Sequence, residues 1–70
     1  RFLHIHKNVP GVMAEINNVL ASYGLNISGQ YLSTDNEVGY VITDINNSYD
    51  ERVIDALKEI RHTIKFRILY

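Results

Sequence analysis

The order in which the hydrophobic pattern changes its period limits the fold of this chain more than any other feature. Apolar and polar residues alternate in a first segment, apolar residues recur every three or four positions in a second, and strand, strand, helix and strand patterns follow. This βαββαβ order predicts an α+β fold, the ferredoxin-like two-layer sandwich. Its four-stranded antiparallel sheet carries both helices on one face, with the first and third strands in the centre.

A junction between strand and helix follows the first strand. The alternating segment closes at His6, and Pro10-Gly11 then stops the strand and starts a helix. We expect Pro10 in the first helical turn, where its missing N–H would have had no partner. The free donors at the positive end of the helix are then the amides of Gly11, Val12 and Met13.

Two neutral polar side chains flank these expected donors. His6 closes the strand and Asn8 lies in the turn. A helix end can bind a carboxylate, and an imidazole and a carboxamide add hydrogen-bonding groups without a fixed charge. The junction therefore suits a small zwitterion better than a phosphate. The same spacing also fits an ordinary connector, in which Asn8 satisfies nearby backbone groups.

The first helix and the strands after it have clear end signals. The helix should end near Tyr23, because Gly24 can adopt the positive φ of a C′ residue. A turn cluster at 35–37 predicts a hairpin between strands at 25–33 and 38–45. The apolar positions of this first helix are Val12, Ile16, Val19, Leu20 and Tyr23.

The two hairpin strands differ in pattern. Residues Ile27, Gly29 and Tyr31 are predicted on one face of the second strand, and Asn26, Ser28 and Gln30 on the other. The third strand has apolar residues at both odd and even positions, which is typical of a central strand with something packed on each face. The second strand is an edge with few charges, and such edges pair with another chain. We therefore predict a homodimer that joins through the second strand and the first helix.

The last two elements complete the pattern. Ser48 or Asp50 can cap a second helix, whose apolar face carries Val53, Ile54, Leu57 and Ile60. The last strand is expected to begin at Thr63. Its apolar residues are Ile64, Phe66, Ile68 and Tyr70, and they alternate with Lys65 and Arg67.

Composition excludes several classes of function. Seventy residues, 46% of them hydrophobic and 21% charged, form a single domain over residues 1–70. A net charge of -1 gives no field that would recruit nucleic acid or an anionic membrane, and no apolar run is long enough for a membrane span. The absence of cysteine removes disulfides and thiolate nucleophiles, and it fits a cytoplasmic location.

Alternative sites and functions find fewer supporting residues. His4 and His6 lie two residues apart on one strand, but a third metal ligand is not evident, so no metal site is predicted. His4 is instead interpreted as a half-buried residue of the sheet. An RNA-binding sheet would need aromatic residues on its central strands and a basic surface. An acyl-phosphate hydrolase would need an arginine in an anion-binding loop, where this chain has Lys7-Asn8-Val9-Pro10.

No catalytic residues are predicted in this chain. It shows no nucleophile paired with a base, and it starts at Arg1 and enters a strand at once. We expect the chain to be a piece of a longer enzyme, in which it accompanies a catalytic domain.

The motifs of the chain resemble those of a known family. The pattern His6-x-Asn8-x-Pro10-Gly11-Val12 is followed by Gly24-x-Asn26-Ile27, Gln30-Tyr31-Leu32, Gly39-Tyr40-Val41 and Arg67-Ile68-Leu69-Tyr70. Together they resemble the C-terminal ACT domains of bacterial D-3-phosphoglycerate dehydrogenases along essentially the whole chain. Lys7 and Val9 depart from the family pattern, in which acidic and basic residues are common at these positions.

The resemblance implies a regulatory function. In that family the ACT domain binds L-serine at a dimer interface, and the NAD-dependent enzyme of serine biosynthesis is feedback-inhibited. Carried over by motif, His6 and Asn8 contact serine from one domain, beside the backbone of Val9, Gly11 and Val12, and Asn26 reaches it from the partner. The NAD site belongs to other domains of the parent, which is expected to form a higher homo-oligomer, so no cofactor is expected in this chain. The alternative is an ACT-like module that only assembles the parent enzyme.

Overall fold

The element order of the structure, a computed structural model that describes residues 1–46 and 48–69, is the predicted βαββαβ. The first helix lies between the first two strands, and the second helix lies between the third strand and the last. The elements are β1 (Phe2–Lys7), α1 (Val12–Ser22), β2 (Ile27–Thr34), β3 (Val38–Ile45), α2 (Glu51–Lys58) and β4 (Thr63–Ile68).

The four strands form one antiparallel sheet in the order β2-β3-β1-β4. This order confirms that β1 and β3 are central and that β2 and β4 are edges. Within the described residues, β2 pairs with β3 alone, so the backbone groups on its outer side have no partner strand.

The core lies between the helices and one face of the sheet. Its buried apolar residues are Phe2, Val12, Ile16, Leu20, Leu25, Val41, Val53, Leu57 and Ile60. Alternate residues of β1 point into this layer, so His4 and His6 are buried beside Phe2. The interpretation of His4 as a half-buried sheet residue is wrong, because only 2% of its surface is exposed.

The other face of the sheet is open in this chain. Tyr31 and Tyr40 are exposed there, and their cross-strand partners Ile42 and Ile5 are only half-buried. The expectation that β3 is covered on both faces is therefore wrong for the described residues. The apolar residues of β3 that point away from the helices form an exposed apolar surface and are not covered by a second layer of the described residues.

Two bulges shift the predicted alternation. Ile27 pairs with Ile45 but Gly29 pairs with Asp44, so Ser28 is an extra residue in β2. Because cross-strand partners share a face, the bulge places Ile27 on the face opposite Tyr31, and the prediction that the two residues share a face is wrong.

A second bulge lies in β4. Ile5 pairs with Lys65 but His6 pairs with Thr63, which leaves Ile64 without a partner on β1. Ile64 is 54% exposed, so it does not extend the apolar face that Phe66 contributes to. Tyr70, the last member of the predicted alternation, lies outside the described residues.

The helix ends confirm two sequence signals and overturn one. Gly24 has a φ of 71° after α1, and the side chain of Asp50, not that of Ser48, caps α2 by accepting a hydrogen bond from the Arg52 amide. Helix α1, however, begins at Val12 with Gly11 as its N-cap, at a φ of 93°. Pro10 therefore lies before the helix and not in its first turn.

No helix in residues 1–46 and 48–69 combines the length and the apolar character that crossing a membrane requires.

Candidate functional site

The turn between β2 and β3 holds Asn8 in place. The Asn8 amide donates to the Glu37 carbonyl at 2.8 Å, and Asn8 Nδ2 donates to the Asp35 carbonyl at 2.7 Å. With its NH2 group engaged, Asn8 presents Oδ1, which has no hydrogen bond among the described residues, as a free acceptor.

The side chain of Asp35 forms two hydrogen bonds within this turn. Its Oδ1 accepts hydrogen bonds from the amides of Val38 and Glu37, each at 2.8 Å. These two bonds favour the charged carboxylate, so they hold the pKa of Asp35 below its ordinary value. The support for Asn8 is thus a turn that is itself fixed by side-chain hydrogen bonds.

His6 presents a second acceptor. Its Nδ1 lies 2.9 Å from the Lys7 carbonyl, which can only accept, so Nδ1 carries the proton. In the neutral ring Nε2 is then an acceptor, and this atom is buried with no hydrogen-bond partner in the described structure. A ligand can reach Nε2 only if the residues that cover it move.

His4 lies beside His6 on the core face of β1. The two ring centroids are 5.6 Å apart, and His4 Nε2 lies 2.9 Å from Thr63 Oγ1. Burial, and next the charge of His6, lower the pKa of His4, while the Leu57 carbonyl opposes the shift. The neutral form of His4 is therefore favoured next to the candidate site.

The first turn of α1 supplies hydrogen-bond donors. No side chain of the described residues caps this end, and the Glu15 amide donates the first intrahelical hydrogen bond, to the Gly11 carbonyl at 3.0 Å. The amides of Val12, Met13 and Ala14 precede that bond, so they have no partner within the helix. The free donors therefore begin one residue later than the sequence predicts, because the Gly11 amide lies outside α1.

The predicted site residues fall at two ends of the molecule. His6, Asn8 and the start of α1 lie together at the end of β1. Asn26 precedes β2, near Ile45 at the other end of β3, and its carbonyl accepts a hydrogen bond from the Asn46 amide. Eight residues of β2 span about 25 Å, so Asn26 cannot join the other residues within one chain.

A pocket of about 420 Å³ opens beside Asn8. Its lining residues are Lys7, Asn8, Val9, Asn36, Glu37, Val38 and Ile64. The pocket lining shares Asn8 and Val9 with the predicted site but does not include His6, Gly11 or Val12. The pocket therefore lies on a different side of Asn8. In the part of the chain that the structure describes, no group of three side chains could hold a metal ion.

The residues that support the site were not predicted from the sequence. Asp35 and Glu37 were interpreted only as turn formers, and their contacts with Asn8 depend on how β1 lies against the hairpin. Gly39, the cross-strand partner of His6, had a visible signal, since an isolated glycine in an apolar strand indicates close approach of another group.

The fold and the junction after β1 point to one protein family, and the match of the chain to a family model shows which family it is. The chain belongs to the ACT domain family, since residues 2–65 match the AHAS small subunit-like ACT domain.

Within this family the chain is similar along its whole length to the C-terminal part of D-3-phosphoglycerate dehydrogenases. It is 43% identical over 70 residues to the Haemophilus influenzae protein and 44% identical over 72 residues to the Escherichia coli K12 protein. The Dictyostelium discoideum protein is 39% identical over 70 residues. All of this chain is covered, but it spans only 17% or 18% of the length of these relatives.

Two solved structures share the fold. A structure described as GqqA, a novel type of quorum quenching acylase, superposes with a TM-score of 0.80 over 97% of this chain and 26% of its own, at 19% identity. The small subunit of acetolactate synthase from Thermotoga maritima gives a TM-score of 0.72 over 94% of this chain and 44% of its own, at 22% identity.

Proposed function

We propose that this chain is the regulatory domain of a D-3-phosphoglycerate dehydrogenase, and that it binds L-serine between two copies of itself to inhibit that enzyme. The family membership and the similarity to the dehydrogenases support a regulatory role. The choice of serine comes from the motif resemblance. A cytoplasmic location stays a prediction.

The observation that carries the proposal is the set of unpaired polar groups at the end of β1 and in the turn and helix start that follow. Asn8 Oδ1 and His6 Nε2 are acceptors, and the first amides of α1 are donors. An amino acid has the complementary groups, because its ammonium and hydroxyl donate and its carboxylate accepts. In our proposal the helix end receives the carboxylate and the two acceptors receive the ammonium and hydroxyl groups.

The positions of Asn8 and Asn26 support a site between two chains. If two copies pair antiparallel along β2, a two-fold axis brings the start of one β2 to the end of the other. The partner's Asn26 then approaches Thr34 and Asp35, and Asp35 is the residue whose carbonyl accepts a hydrogen bond from Asn8. A ligand held in this way favours one arrangement of the two subunits, and that preference can change the activity of attached domains.

The test is calorimetric titration of the 70-residue chain with L-serine, with D-serine and L-alanine as controls. We expect stereospecific binding, and we expect Asn8→Ala or Asn26→Ala to weaken it by about 1–3 kcal/mol, because a polar group of the ligand loses its partner. Asn18→Ala is the matched control, since Asn18 is exposed on α1 away from the junction.

The alternative function is an assembly module that binds no amino acid. The burial of His6 Nε2 favours it, because no ligand reaches this atom in the present arrangement. A sensor should gain thermal stability when serine is added, whereas an assembly module should not. A folded, dimeric preparation that shows neither heat nor a shift in Tm at millimolar serine would support the assembly module.

A further inference from the structure

We propose that Gly39 is a positioning residue for the His6 imidazole: the missing side chain at position 39 leaves the room that the ring occupies, and Nε2 meets a ligand once the residues that cover it move. The inference rests on the proposed function for its ligand, but its structural part can be tested without one.

The contact between the two residues is unusually close. Gly39 lies directly opposite His6 in the pairing of β1 with β3. A Cβ atom built on Gly39 would lie 2.5 Å from His6 Cε1, 2.9 Å from Nε2 and 3.2 Å from Nδ1. The ring therefore occupies the volume that any other residue at position 39 would fill.

The ring has little room to move away. His6 is 2% exposed, its Nδ1 is bonded to the Lys7 carbonyl, and the His4 ring lies on the same face. The backbone of β3 is held by ladders on both sides, with β1 and with β2. A methyl group at position 39 must therefore displace the imidazole or open the pairing of β1 with β3.

The four glycines of the chain differ in this respect. Gly11 and Gly24 adopt positive φ values and have nothing within 4 Å of an added Cβ, so backbone conformation explains them. At Gly29 in β2 the nearest atom would be Tyr31 Oη at 3.4 Å, an ordinary contact. Gly39 is the glycine whose absent side chain makes space for a site residue, and Gly29 is its matched control.

The experiment is a double-mutant cycle of Gly39→Ala and His6→Ala in the 70-residue chain. We expect Gly39→Ala to lower the Tm when His6 is present and to have no such effect in the His6→Ala background, where the ring is gone. An effect of equal size in both backgrounds would overturn the inference, since it would assign the cost to β3 itself. If Gly39→Ala alone does not fold, recovery of folding in the double variant is the expected result, and failure of the double variant contradicts the proposal.

A second measurement follows the ring directly. In the unsubstituted 70-residue chain, nuclear Overhauser contacts are expected between the His6 ring protons and the Gly39 α-protons. In Gly39→Ala the His6 ring signals should shift, while Gly29→Ala should leave them in place. Unchanged His6 signals in a folded Gly39→Ala variant would overturn the positioning role.

Serine affinity then links the ring position to the site. Gly39→Ala is expected to raise the Kd for L-serine about tenfold or more, equivalent to about 1.4 kcal/mol, while Asn18→Ala, the exposed control on α1, leaves it unchanged. Parent-like affinity of Gly39→Ala would contradict the role in ligand binding. If the parent itself binds no serine, the proposed function fails, while the cycle and the ring signals still decide whether Gly39 positions His6.

Discussion

Two buried histidines give this small core an uncommon composition. His4 and His6 both point into the helix layer, and each keeps one ring nitrogen without a hydrogen-bond partner in the described structure. A buried polar atom left unpaired costs about 1–3 kcal/mol, so stability alone does not explain the pair. Local departures of this kind are expected at functional sites, which agrees with a binding role for His6.

The titration of His4 predicts a loss of stability in weak acid. Its pKa in the folded chain lies below the ordinary value of 6.5, so between the two values the unfolded chain binds more protons. The free energy of unfolding should therefore be constant with respect to His4 above about pH 6.5 and should fall as the pH drops toward the lowered pKa. We expect the Tm to decrease in this range, and His4→Gln to reduce the decrease.

A second histidine provides the control for this pH dependence. His62 is exposed, and its φ of 70° is one that Asn tolerates well, so His62→Asn should leave the pH profile of Tm like that of the parent. Among the described residues, the titratable neighbour of His4 is His6. The groups that approach from α2 and β4, Leu57, Thr63 and Phe66, are uncharged. Equal profiles for the parent and His4→Gln would refute the assignment to His4.

The start of α2 depends on one capping residue. Asp50 has an extended backbone, and its Oδ1 accepts a hydrogen bond from the Arg52 amide at 2.9 Å. Asp50→Ala removes this acceptor and the favourable charge at the helix end. We expect the Tm to fall by several degrees, measured by circular dichroism, because α2 supplies Val53 and Leu57 to the core.

Ser48→Ala is the control for the cap. The sequence allowed Ser48 as well as Asp50 in this role, and the two substitutions remove similar polar groups two residues apart. Ser48→Ala should leave the Tm unchanged. A larger loss for Ser48→Ala than for Asp50→Ala would mean that α2 begins elsewhere in solution.

Hydrophobic periods and turn residues predicted the elements because both signals are local. The hairpin, Gly24 and the Asp50 cap follow from neighbouring residues alone. The bulges at Ser28 and Ile64 could not be predicted, because an extra residue is defined by the strand that it pairs with. The start of α1 was misplaced because the preference of Pro10 for a first turn was outweighed by the left-handed N-cap at Gly11.

The candidate site was predictable to the same extent. His6 and Asn8 lie near the start of α1 because the chain connects them directly. The contact of His6 with Gly39 and the bond from Asn8 to Asp35 join residues more than 25 positions apart, so they require the strand register. The burial of His6 Nε2 depends on packing, which the pattern of residues does not reveal.

Side-chain hydrogen bonds connect the edge strand β2 to α1, the helix that begins at the candidate site. Gln30 Nε2 on β2 donates to Asn17 Oδ1 on α1 at 3.0 Å and to Thr43 Oγ1 on β3 at 3.2 Å. A shift of β2 at a subunit interface would therefore be transmitted to α1, whose first amides form part of the candidate site. If two copies pair along β2 as proposed, these hydrogen bonds connect the pairing strand to the candidate site, and pairing along β2 can then be tested through binding.

Substitution of Leu32 tests both pairing and binding. Leu32 is 50% exposed on the edge strand β2, on the face shared with α1, because it pairs with buried Val41. Leu32→Lys places a charge where two copies would meet, and like charges across an antiparallel pair destabilise it. We expect sedimentation analysis to show a shift from dimer to monomer, with the fold retained and serine affinity lost together with the dimer.

Ile68→Lys on the other edge distinguishes this effect from a general cost of an added charge. Ile68 lies on β4, pairs with buried Phe2 and is 44% exposed, so it matches Leu32 in residue class, face and exposure. Pairing through β2 predicts that Ile68→Lys stays dimeric and binds serine. A Leu32→Lys monomer that still binds serine would place the whole site within one chain, and Asn26, about 25 Å from Asn8 along β2, could then take no part in it.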